Sequence, residues 1–172
     1  MPEPIVLDAS AAIAWIRREP AGPRIAAILK EQAKNGGEVL VPGHFWLEVA
    51  NTLGRRYRFD LGQIVREVQD LDLLDVRSVE VDRPLWLLTV DRTGLFGLSA
   101  YDAVYLAVAE ANGAMLLTLD AELVRAAGRR ALPSGQHRLQ EPSAQYDVRD
   151  PNAVWAEFGD YLAKLRQDVL AG

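Results

Sequence analysis

The sequence predicts an α/β protein, a three-layer α/β/α sandwich around a mainly parallel sheet, and three observations predict it. Short apolar runs alternate with helical patterns from residue 4 to about 127. The 172 residues sit near the upper edge of a single ordinary domain, and 49% of them are hydrophobic, which suits a layered core. Consecutive parallel strands need crossover helices, and right-handed crossovers cover both faces of the sheet.

Residues 4–7 read as a buried strand that ends in Asp8, and the small-residue segment 9–14 with Trp15 and Ile16 follows as a helix. A second helix over 21–34 carries Ile25, Ile28 and Leu29 at helical spacing, stops at Asn35-Gly36-Gly37 and gives way to a strand over 38–41. Pro42-Gly43 introduces a helix over 44–57, and Asp60 caps the next, to about Leu73. The alternation over 76–81 suits a third strand. Pro84 and Gly94 bracket another helix, and Ser99 starts an almost wholly apolar one to Ala111, ended by Asn112-Gly113. Residues 114–119 form the last strand, and Asp120 opens a helix to about Ala127.

The domain is expected to span 1–132, with 133–172 as an extension. Within it, 133–142 reads as a connector, and Asp150-Pro151 as a cap and first helical residue. Val154, Trp155, Phe158, Tyr161, Leu162, Leu165 and Val169 then share one stripe of an amphipathic helix, which needs a surface to cover it.

Composition removes whole classes of function. With Cys 0, disulfides, zinc ribbons, iron–sulfur sites and thiol nucleophiles are excluded. The longest apolar run, 103–109, is too short to span a bilayer, and the first residues have no signal-peptide pattern, so a cytoplasmic protein is expected. A net charge of -5 argues against capture of nucleic acid by the whole surface, but leaves room for a local basic stripe or a bound cation. Phosphate-loop, dinucleotide and HExxH motifs are missing, and the imidazoles are His44 and His137.

Carboxylate chemistry remains, and four acids stand in apolar surroundings where an ionised group is costly unless paired. Asp8 and Asp120 each end a strand, at the sheet edge where open α/β folds place ligands. Glu48 is the one charged residue in 41–53, and Asp102 the one in 95–109. Each also has a plain structural role open to it: Asp8 and Asp120 as helix caps, Asp102 in a Ser-x-x-acid capping box with Ser99, and Glu48 on an exposed helix face. An oxygen-only set of this kind suits Mg²⁺ or Mn²⁺, and such an ion serves phosphodiester hydrolysis. His44 is expected at an exposed helix start, and the four tryptophans in packing.

The segments IVLDASAAIAW, FWLEVANTL, LSAYDAVYLAVAE and LLTLDAELVRAAG, in order over residues 4 to 130, resemble the acidic motifs of PIN-domain nucleases, most closely the VapC-like toxins of toxin–antitoxin pairs. The resemblance implies a PIN-like fold. It also implies a metal-binding and catalytic pocket of Asp8, Glu48, Asp102 and Asp120, with Ser10 and Thr118 as supporting hydroxyls. It further implies Mg²⁺- or Mn²⁺-dependent endonucleolytic cleavage of RNA, a cognate antitoxin and a homodimer. Arg55, Arg56 and Arg58 around Tyr57 are candidate RNA contacts, with a solvated helix end as the alternative. The extension beyond residue 132 is longer than the common small toxin requires. An RNA-processing nuclease without antitoxin and a non-catalytic binding module of the same fold remain the competing readings.

Overall fold

A computed structural model describes residues 2–132. The connector and terminal helix expected beyond residue 132, Trp155 included, lie outside the described residues. Among the described residues four strands form one sheet: β1 (Ile5–Leu7), β2 (Val39–Pro42), β3 (Arg77–Val79) and β4 (Met115–Leu117). Their order is β3-β2-β1-β4, and every pairing is parallel, as the alternation of strands and helices predicts. The register sets Ile5 opposite both Val39 and Met115, so β1 is a central strand, and Val6, Leu7, Leu40, Val41, Leu116 and Leu117 are all fully buried.

Among the described residues seven α-helices connect and follow the strands. They are α1 (Ala9–Ile16), α2 (Gly22–Lys34), α3 (Phe45–Asn51), α4 (Leu61–Asp72), α5 (Arg83–Phe96), α6 (Ala100–Ala111) and α7 (Ala121–Ala127). The chain steps from β1 to β2 to β3 in one direction across the sheet, then returns past both to place β4 on the far side of β1. With right-handed crossovers this reversal sends α5 and α6 to the face opposite α1 and α2, which yields the three layers. It also makes the boundary between β1 and β4 the point where the strand order turns, and the crevice beyond the carboxyl ends of such strands is where open α/β sheets bind ligands.

Helix α6 lies across β1, β2 and β4, and its residues from Ala103 through Ala109 are buried all round, which explains their unbroken apolar character. Close approach of α1 and α2 depends on Gly22, where a Cβ would stand 2.8 Å from the Ala14 carbonyl oxygen.

Several boundaries differ from the sequence expectation; the last strand, expected over 114–119, keeps Met115–Leu117. The helix predicted over 44–57 is not uniform: α3 ends at Asn51 and passes into a π-helical turn over Thr52–Arg56. Helix α5 runs through Gly94 and stops at Gly97, whose φ of 69° is the left-handed cap conformation that glycine adopts without strain. The third strand keeps Arg77–Val79 of the expected 76–81, because pairing to β2 extends no further. The expected cap does form at Asp60, as a full capping box with Gln63. Trp15 and Trp46 pack against the core as expected, whereas Trp86 is half-exposed, its ring 4.8 Å from the Arg83 guanidinium carbon.

Candidate active site

Asp8 leaves β1 at the central position of the sheet and caps α1. It is 4% exposed, and three donors converge on one of its oxygens, Oδ2. The Ser10 amide donates at 3.3 Å, the Thr118 hydroxyl at 2.7 Å, and the Ser10 hydroxyl completes the set. Burial nevertheless dominates, pushing the Asp8 carboxyl up to about 6. The two hydroxyls counter it, and the charges of Asp120 and Asp102 add to it. A buried acid repelled by two further acids is a group that an added positive charge would stabilise.

The opposite wall comes from β4. Thr118, fully buried just after the strand, accepts a bond from the Asp120 amide at 3.0 Å while donating to Asp8. The Ser10 hydroxyl accepts from the Leu119 amide at 3.0 Å. The two supporting hydroxyls therefore stitch the ends of β1 and β4 together. Asp120 caps α7 through Oδ1, which accepts from the amides of Glu122 at 2.7 Å and Leu123 at 2.8 Å.

Asp102 sits in the first turn of α6, where Ser99 accepts its amide at 3.1 Å and returns its own hydroxyl to the Asp102 carboxylate at 2.6 Å. Burial raises its carboxyl, the Ser99 bond lowers it, and Asp120 and Glu122 raise it again. Asp8, Asp102 and Asp120 are thus within each other's electrostatic reach, although each also caps or brackets a helix.

Glu48, on α3, joins the group indirectly. Its Oε2 accepts the Tyr105 hydroxyl at 2.8 Å, and the Tyr105 phenol feels the charges of both Asp8 and Glu48. His44 is not the exposed helix start that the sequence suggests. Its Nε2 is buried, 3.7 Å from Glu48 Oε2, and burial lowers its basicity while the Tyr101 carbonyl partly restores it. Sequence reading passed over Tyr105 altogether, although a phenol inside a buried apolar helix needs a partner for its hydroxyl, and that need was visible.

The donor chemistry fits a hard divalent cation: oxygens alone, one of them on a buried acid whose neighbours repel it. Among the described residues no three acidic or imidazole side chains are gathered into a ready-made metal cage. An open depression of about 620 Å³ does exist, but residues such as Gly36, Gly37, Asp75 and Arg77 place it at the amino-terminal edge of the sheet, away from the acids.

Arg55 and Arg56 end the π-helical turn and Arg58 follows Tyr57, all exposed and without an ion pair among the described residues. The Arg56 guanidinium carbon is 5.5 Å from the Tyr57 ring centre. Arg17 lies 4.5 Å from the same ring and 4.8 Å from that of Phe59.

Comparison with known proteins matches residues 5–129 to the PIN domain family. Ribonuclease VapC3 of Mycobacterium tuberculosis, in strains H37Rv and CDC 1551, is 34% identical over 127 residues, covering 73% of this chain and 88% of the relative. Among solved structures, PAE2754 from Pyrobaculum aerophilum superposes with a TM-score of 0.55 at 25% identity, covering 73% of this chain and 81% of that one. VapBC2 from Rickettsia felis, bound to a DNA fragment from its promoter, superposes with a TM-score of 0.54 at 15% identity, covering 74% and 95%. The second likeness is one of fold.

Proposed function

Because the chain belongs to the PIN-domain family, we propose that it is an endoribonuclease that uses Mg²⁺ or Mn²⁺ and serves as the toxin of a toxin–antitoxin pair. The observation that carries the reading is Asp8: a buried carboxyl pushed up to about 6 at the carboxyl edge of the sheet, with Asp102 and Asp120 raising it. The similarity to a ribonuclease supports RNA as substrate, and the likeness to a VapBC complex supports an antitoxin.

In this reading Asp8, Glu48, Asp102 and Asp120 would hold the cation, which when bound supplies charge neutralisation at a phosphodiester and a more acidic water. Ser10 and Thr118 fix Asp8 with hydroxyl bonds, so one carboxylate oxygen is pinned while the other keeps lone pairs for a ligand. Arg55, Arg56 and Arg58 supply cations for RNA phosphates flanking the cleaved bond. Exposed Leu87, Val90 and Leu95 of α5 and Tyr101 of α6 support a second copy of the chain as a partner. No helix among the described residues is long and apolar enough to cross a membrane, and we assign the protein to the cytoplasm.

Purified full-length chain, stripped of any partner, is expected to cut RNA when Mg²⁺ or Mn²⁺ is added. Cleavage that persists in both Asp8→Asn and Asp102→Asn overturns the assignment. A short neighbouring reading frame for a DNA-binding protein is the expected sign of the antitoxin, and light scattering tests the dimer.

The capping bonds of Asp8, Asp102 and Asp120 favour one other reading, a non-catalytic module that keeps the fold. Calorimetric titration with Mn²⁺ separates the two, because helix caps alone give no binding that the four acids control.

A further inference from the structure

Tyr105 stands one helical turn after Asp102 on α6, fully buried, and its hydroxyl reaches 57 residues back along the chain to Glu48. The ring is locked by its burial, so the hydroxyl has a fixed origin. At its side the His44 ring meets it edge-on with centroids 5.1 Å apart, and His44 Nε2 comes within 3.7 Å of the oxygen that Tyr105 holds. That distance is too long for a hydrogen bond. The oxygen Oε2 is therefore held by the phenol and flanked by the imidazole.

We propose that Tyr105 is a positioning residue that holds the Glu48 carboxylate toward Asp8 and Asp102 before any cation arrives. The inference rests on the reading of Glu48 as part of a cation pocket. A glutamate has several rotatable bonds, so its carboxylate samples many positions unless a partner holds it. A lysine or arginine in place of the phenol would hold it too, but would neutralise the pocket and compete with the incoming ion. A phenol supplies the hydrogen bond without the charge. Because Tyr105 and Asp102 share a helix face, the same bond also ties α3 to the helix that carries Asp102.

The test is a double-mutant cycle on the full chain, read by calorimetric titration with Mn²⁺ and by RNA cleavage. Tyr105→Phe is expected to weaken Mn²⁺ binding about tenfold, the usual scale for removing a hydrogen bond behind a ligand. In cleavage it is expected to lower kcat while leaving KM for RNA in place. In a Glu48→Gln background the same change is expected to cost nothing further. Independent, additive losses overturn the proposal, as does wild-type affinity in Tyr105→Phe alongside weakened Glu48→Gln. Wild-type affinity in Glu48→Gln also overturns it while leaving a pocket of the other three acids, whereas absence of Mn²⁺ binding by the wild-type chain overturns the cation pocket itself. Should Tyr105→Phe not fold, 3-fluorotyrosine placed at position 105 gives a second readout. Its ¹⁹F resonance is expected to move on Mg²⁺ addition in the otherwise wild-type chain and to stay still with Glu48→Gln, and a resonance that ignores Mg²⁺ in both overturns the proposal.

Discussion

The Thr118 hydroxyl donates to Asp8 Oδ2 across 2.7 Å and joins residues 110 positions apart, where β4 and β1 end side by side. One fully buried side chain thus supports the central acid and, through the Asp120 amide, sets the start of α7. Thr118→Val keeps the shape but removes both bonds. Leaving these buried groups without their partner is expected to cost about 1–3 kcal/mol in chemical denaturation. The Asp8 carboxyl should also rise further, because a bond that lowers it is gone.

Asp8 makes stability depend on pH in a defined direction. Its folded value of about 6 lies above the ordinary 3.8, so between those values the folded state binds more protons than the unfolded one. The contribution is fully present below about 3.8 and is lost as pH rises through 6, at most about 3 kcal/mol by linkage. Cation-free Asp8→Asn is therefore expected to be more stable than wild type at pH 7 and to gain less on acidification. Thermal unfolding of the two proteins across pH 4 to 7 checks this, and added Mn²⁺ should close the gap at pH 7 by stabilising wild type alone.

Ser99 serves α6 twice, as its cap and as a donor to Asp102. Ser99→Ala is expected to lose about 1 kcal/mol of stability, the ordinary cost of an N-cap. Cation affinity should fall with it as the Asp102 carboxyl rises without its donor. Ser99→Thr, which keeps cap and hydroxyl, should restore both in melting and titration experiments.

The arginines near Tyr57 divide into two kinds. Arg17, whose charge rests over two aromatic rings and whose Nε is buried without a hydrogen-bond partner among the described residues, belongs to the packing of that corner, and Arg17→Ala should lower the melting temperature. Arg55, Arg56 and Arg58 are exposed, and replacing them by alanine should leave stability alone. KM for RNA should rise, and the salt dependence of binding should flatten by about one unit for every phosphate that an arginine no longer neutralises.

Much of the architecture was legible because its signals are local. The apolar strand ended by Asp8, the caps at Asp60, Ser99 and Asp120, and the stop at Asn112-Gly113 each depend on a few adjacent residues and stand where the sequence set them, whereas the last strand stops at Leu117, short of Asp120. Ser10 and Thr118 could be named from their motifs, but their bond to each other's strand ends could not, since it depends on β1 and β4 being neighbours. The same limit hid the partner of Tyr105 and misplaced His44, whose surroundings come from α3 meeting α6. Helix spacing places residues on their own element and is silent about which neighbour covers them.

The π-helical turn over Thr52–Arg56 holds one more residue per turn than the helix it continues. Removing a single residue there would allow a regular spiral from α3 onward, and because the π turn absorbs its surplus residue within nearly the same rotation, the following arginines would keep their direction relative to Glu48. The stretch can therefore gain or lose one amino acid without re-aiming its basic side chains against the carboxylate, so a length difference at this spot would be silent for their direction.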